Sequence, residues 1–83
     1  MDSLENTRLF EIDEITCALV ETTLDEVKDA LVEKGYNPVS QIVGYLVSGD
    51  SGYITNNKNA RDKILSLDRA KILEVIVKEY LDN

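Results

Sequence analysis

Gly49-Asp50-Ser51-Gly52 sets a serine between glycines, in the kind of exposed turn where a hydroxyl can be presented as a nucleophile. A serine attacks only when a base removes its proton, and the chain contains no histidine to do so. The segment therefore reads as a loop, because glycine, aspartate and serine are turn residues. Cys17 is the single cysteine, so no intrachain disulfide can form. It falls on an apolar helical seam with acidic neighbours, and it reads as a buried structural thiol. The carboxylate pairs Asp13-Glu14 and Asp25-Glu26 diverge by about 100° on a helix, and no calcium-loop spacing surrounds them. They read as a solvated face. A zinc site would need carboxylates almost throughout, and no glycine motif cradles a phosphate, so neither metal nor cofactor is expected. Tyr36, Tyr45, Tyr53 and Tyr80 lack the basic groove of a base-stacking platform and read as packing or interface residues. Together these residues predict a protein that is not an enzyme.

The frame that must position them is small. Eighty-three residues make one domain, and a domain of this size buries only about two-thirds of its unfolded surface. Without disulfide or metal, self-association is the remaining source of extra burial, which predicts a homodimer. No apolar run approaches the roughly 20 residues of a membrane span, and the N-terminus lacks the pattern of a secretion signal, so a cytoplasmic protein without membrane insertion is expected.

The formal net charge is −7, from 16 acidic and 9 basic residues. The excess lies wholly in residues 1–34, which carry ten acids and three bases. Lys58, Arg61, Lys63, Arg69 and Lys71 outnumber Asp62 and Asp68 in residues 56–71, which makes Arg61, Lys63, Arg69 and Lys71 a candidate docking site for a phosphorylated group. The alternative is an accessory protein on nucleic acid, with Arg61, Lys63 and Lys71 on the phosphate backbone. The net charge opposes it, and a nucleic-acid partner is not favoured.

The periodicity predicts an all-α chain. Residues 1–13 carry Leu4, Leu9, Phe10 and Ile12 without a sustained period and are expected to form a flexible arm open to modifying enzymes, while 14–83 form the helical domain. Cys17, Val20, Leu24, Val27 and Leu31 recur at three and four residues, predicting a helix from Glu14 to about Lys34 that Gly35 ends in the left-handed region. Asn37-Pro38 is a capped start for a second helix to about Ser48, closed by Gly49. Val39, Ile42, Val43, Leu46 and Val47 give it a broad apolar face, and Gly44 on a neighbouring face would admit another backbone. Gly49 to Asn57 reads as loop. A short helix is expected from Asn59 to Leu65, and Asp68 caps a fourth to about Leu81. Ile72, Leu73, Val75, Ile76, Val77, Tyr80 and Leu81 cover more of this last helix than a lone chain can bury, so it and the second helix are expected to carry the dimer contact.

The block from Glu33 through Gly35-Tyr36-Asn37-Pro38-Val39-Ser40-Gln41-Ile42-Val43-Gly44-Tyr45 to Asp50 closely resembles the signature of the IreB family of small bacterial regulatory phosphoproteins. The likeness continues through Tyr53-Ile54, Asn59-Ala60-Arg61-Asp62 and the last helix, covering about 70 of the 83 residues. It implies a compact bundle of about four helices, homodimeric, without catalytic activity. It also implies action by protein-protein interaction downstream of a transmembrane serine/threonine kinase in the response to cell-envelope stress. A serine/threonine kinase, a matching phosphatase and a downstream protein are the implied partners.

The family's phosphoacceptor pattern falls on Thr7-Arg8-Leu9-Phe10-Glu11-Ile12, so Thr7 is the position carried over. A second upstream threonine is replaced by Leu4, with Ser3 beside it as the other candidate. The family's usual Asp-Pro-Ala-Tyr becomes Asp50-Ser51-Gly52-Tyr53, which loosens that loop because proline's restriction is lost. Tyr36, Asn37, Pro38, Gln41, Gly44, Tyr45, Asp50 and Tyr53 are expected to form the partner or dimer surface. A phosphate on Thr7 is expected either to dock on the basic stretch and order the arm, or to be repelled by the acidic first helix and expose a partner surface.

Overall fold

Asp13 opens the first helix: its carboxylate accepts the Thr16 amide at 2.7 Å, closing one of the four orphan donors of the helix start. The computed structural model describes residues 13–82, so the remainder of the expected arm lies outside the described residues. Asp13 is thus the cap of that helix. Helix α1 spans Glu14–Glu33. Val20, Val27 and Leu31 of the expected seam are fully buried, and Cys17 and Leu24 pack partly against them. The helix ends in a Schellman arrangement, with Tyr36 N–H donating to the Leu31 carbonyl and Gly35 N–H to that of Val32. Gly35 adopts φ +84°, which a side chain there would resist.

Helix α2 spans Pro38–Ser48, with proline at its first turn and the Asn37 side chain accepting the Ser40 amide at 2.9 Å. The expected loop is more structured than its composition suggests. A single 3₁₀ turn runs over Ser51–Tyr53, and Ile54 behind it is fully buried. A second turn, Asn57–Asn59, holds Lys58 and Asn59 at φ 53° and 60°. Asn57 ties this turn to α1, donating from its amide to the Ala30 carbonyl and to the Glu33 carboxylate. Helix α3 spans Ala60–Leu65 and helix α4 spans Arg69–Asp82. Asp68 caps α4 through the Ala70 amide at 2.8 Å.

Helix α1 is the centre against which the other three pack. Glu79 of α4 lies beside Glu21 of α1, which ties the last helix to the first. The core joins Val20, Val27, Ala30 and Leu31 of α1 to Tyr45 and Leu46 of α2, Ile54, Ala60 and Ile64 around α3, and Ile72 and Val75 of α4. Burying each of the larger aliphatic side chains contributes about 1.5–3 kcal/mol. The four helices form an all-α bundle with no strand among the described residues.

Candidate functional site

Helix α2 carries no Asp, Glu, Lys or Arg, in a chain of which 30% is charged. Its exposed side is therefore built from valines and small polar groups. Leu46 and Tyr45 turn into the core, and Ile42 is half-buried against it. Val39, Val43 and Val47, each four residues from the next, stay exposed, Val47 at 80%. Tyr36, just before the helix, adds a half-exposed ring.

The loop after α2 folds back over the same helix. Gly49 takes φ +77° and lets its amide reach the Tyr45 carbonyl at 2.7 Å. Asp50 then accepts the Gly52 amide at 2.8 Å, an Asx turn that starts the 3₁₀ segment. That segment lays the Tyr53 ring on Gly44. A Cβ at position 44 would stand 2.5 Å from Cδ1 and Cε1 of Tyr53. The space that glycine provides is thus filled by an aromatic ring of the same chain, where the sequence had suggested another backbone. Gln41 completes the arrangement, its Nε2 donating to the Tyr53 carbonyl at 2.9 Å. Gln41, Asp50, Gly52 and Tyr53 enclose a shallow, open depression.

Three of the residues expected on a partner surface, Gln41, Asp50 and Tyr53, are thereby brought together, with Gly44 beneath them. Asn37 and Pro38 serve as the start of α2. Tyr45 departs from the expectation: at 3% exposure it is a member of the core cluster, next in sequence to the Gly44 position that Tyr53 covers. Gly52 escaped the sequence reading, since its part in the depression comes from backbone folded by the Asx turn.

A second apolar face lies on α4. Only Ile72 and Val75 reach the core, which leaves Leu73, Ile76, Val77, Tyr80 and Leu81 exposed, Tyr80 at 81%. Ile15 and Leu19 form a smaller exposed pair on the side of α1 away from its seam, Ile15 at 82%. Their four-residue spacing was a legible signal, obscured by the stronger seam beside it.

The basic stretch is already engaged within the chain. Arg61 Nε donates to the carbonyls of Ser51 at 3.1 Å and Ile54 at 2.9 Å. Arg69 Nη1 donates to the Leu46 carbonyl at 3.1 Å, and its guanidinium lies over Gly49, where a Cβ would stand 2.9 Å from Cζ. Lys63 pairs with Glu26 at 3.3 Å, and Lys71 lies 4.0 Å from Glu74 Oε1, which is buried with no hydrogen-bond partner. Ser3 and Thr7 lie outside the described residues.

Titration of the scaffold follows local contacts. The Thr16 amide holds Asp13 below its ordinary pKa, and hydrogen bonds from Asn57 and then Lys58 do the same for Glu33. Glu21 is pushed up by the Glu79 carboxyl that shares a hydrogen bond with it and then repels it. The Asp82 carboxylate raises Lys78. Among the described residues no group of three or more histidine, cysteine or carboxylate side chains is placed to hold a metal ion, and no helix is long and apolar enough to cross a membrane.

Comparison with known proteins places this arrangement. Residues 5–82 match the model of a family described as the IreB regulatory phosphoprotein. The chain is also 47% identical to a UPF0297 protein of Lachnoclostridium phytofermentans, over all of this chain and 94% of that relative.

Proposed function

The chain belongs to the IreB family of regulatory phosphoproteins, and from that membership we propose that it is a non-enzymatic cytoplasmic regulator that acts by binding other polypeptides. In this reading a serine/threonine kinase phosphorylates Thr7, with Ser3 as the second candidate, and a matching phosphatase reverses it. The signal served is cell-envelope stress, and the working form is a homodimer. The observation that carries the binding role is the apolar surface left uncovered on two helices. Val39, Val43 and Val47 of α2 and Leu73, Ile76, Val77, Tyr80 and Leu81 of α4 are exposed while charged residues occupy much of the remaining surface. Contiguous apolar surface of that kind marks an interaction site.

Phosphorylation acts in this reading through charge. A phosphate adds about two negative charges and three strong acceptor oxygens to an arm that already holds Asp2, Glu5 and Glu11. Because Arg61 and Arg69 hold loop carbonyls and Lys63 pairs with Glu26, a docked phosphate would have to share or displace those contacts. Repulsion from α1, whose exposed side carries Glu14, Glu21, Asp25, Glu26 and Asp29, meets no such obstacle, and repulsion is the route we favour.

Incubation of the full chain with the serine/threonine kinase of its own cell, followed by mass spectrometry, tests the first step. Phosphate on Thr7 is the expected result, and an unmodified chain beside a modified control substrate would refute it. The solution mass over a range of concentrations tests the dimer, and a single-chain mass at high concentration would remove it.

A further inference from the structure

The depression beside Gly44 has a chemistry of its own, distinct from the apolar stripes. Asp50 is exposed, and only its Oδ1 is used, by the Gly52 amide. Gln41 is fixed by its Nε2 bond to the Tyr53 carbonyl, so its Oε1 is the atom left to accept. The Tyr53 ring rests on Gly44 with one part and stays 42% exposed with the rest. The depression, about 280 Å³, is thus lined by a carboxylate, an amide oxygen and an aromatic ring. No cation lines it, and among the described residues Asp50 has no ion-pair partner. Arg61 and Arg69 come near the same loop, but the carbonyls of Ser51, Ile54 and Leu46 hold them.

We propose that the depression formed by Gln41, Asp50, Gly52 and Tyr53 receives an arginine side chain of a partner protein, whose neighbouring aliphatic residues lie along Val43 and Val47 of α2. Charge complementarity selects the occupant: a carboxylate with no ion-pair partner among the described residues, on a chain of net charge −7, attracts a basic group and repels an acidic one. The shape of the donor follows from the acceptors. A planar guanidinium can give two parallel bonds to a carboxylate and stack on a tyrosine face, whereas an ammonium acts as a single point charge. Val47 lies three residues beyond Gly44 and Val43 four before Val47, each a helical neighbour of the last, which sets an apolar stripe that begins beside the anchor. The inference rests on the reading that the chain works by binding polypeptides, and it specifies the chemistry of one contact.

The test is an amide NMR titration of the full chain with three synthetic helical peptides, identical but for arginine, norleucine or glutamate at the central position and leucines one turn to either side. The arginine peptide is expected to shift Gln41, Gly52 and Tyr53 and to bind about tenfold tighter than the norleucine peptide, with the glutamate peptide weakest. Asp50→Asn should lower affinity for the arginine peptide by a similar factor and leave the norleucine peptide unaffected. That variant retains the Oδ1 that accepts from Gly52, so the loop keeps its turn. Equal affinity for the three peptides, an unchanged Asp50→Asn variant, shifts confined to α4 or an absence of saturable binding would each overturn the anchor. Shifts at the same residues on raising the protein concentration alone would assign the depression to a second copy and also overturn it. The kinase assay and the solution mass report on the broader reading separately, so either can fail without the other.

Discussion

Replacing Arg61 by methionine separates the two roles available to this residue, a surface cation waiting for phosphate and an internal strut. Methionine keeps the unbranched stem and a comparable helix propensity but deletes the guanidinium. The carbonyls of Ser51 and Ile54 then lose a charged donor that now lies 3.1 and 2.9 Å away. Hydrogen bonds to charged groups contribute about 1.5–3 kcal/mol each. Here one N–H is shared between two acceptors on a half-buried side chain, so the total is about 2 kcal/mol. For a domain of this length 1 kcal/mol moves Tm by about 4–8 °C, so the variant is expected to melt about 8–16 °C lower. The damage should be local in origin, because the strut holds the turn that places Ile54 in the core. Far-UV circular dichroism at one fixed protein concentration gives Tm, since any dimer makes Tm depend on concentration. Amide exchange at Tyr53 and Ile54, whose N–H groups bond to Asp50 and Ser51, reports the loop itself. Arg61→Lys should recover part of the loss. A fall of less than about 2 °C with unchanged exchange at Ile54 would refute the strut and return Arg61 to the surface role.

Other perturbations test other links. Ile64→Ala removes a fully buried side chain from α3 and should cost about 2–5 kcal/mol, a fall in Tm of about 8–40 °C by circular dichroism. Asn37→Ala should lower Tm by about 4–8 °C, the effect of losing a helix N-cap worth about 1 kcal/mol. Val77→Asp and Tyr80→Asp change exposed positions on α4, so each should leave Tm of the single chain nearly unchanged while weakening self-association in sedimentation equilibrium; unaltered association in both would remove α4 from the dimer contact. Glu21 has a folded pKa above its ordinary 4.5, so its contribution to stability is greatest below that value and declines as pH rises through the raised pKa. Glu79→Gln should abolish that decline, and a Tm profile between about pH 4 and 7 identical to the parent's would contradict the pairing. Glu33 and Asp13 act with the opposite sign: their lowered pKa values give stability above 4.5 and 3.8 respectively that is lost in acid.

Much of the architecture was legible before any coordinates, because its causes are local. The three-four spacing from Cys17 to Leu31, the Asn37-Pro38 start, the glycines at 35 and 49 and the Asp68 cap each act within a turn of themselves, and each helix begins and ends within about two residues of where they predict. The excess of apolar residues on the second and last helices was equally plain, since counting them needs only helical phase. What local rules could not supply is how the loop lies on α2. Ile54 sits in a stretch of glycine, serine, aspartate and asparagine and reads as loop, yet it is buried because Arg61, seven residues on, draws its carbonyl inward. Tyr45 and Tyr53 are the same residue type eight positions apart, but the core takes in the first and Gly44 supports the second at the surface. The basic stretch likewise read as free charge, whereas packing brings Ser51, Leu46 and Glu26 to its donors. Helix ends follow from neighbouring residues; the use made of a tyrosine or an arginine depends on groups far along the chain, and only the folded arrangement brings those groups near.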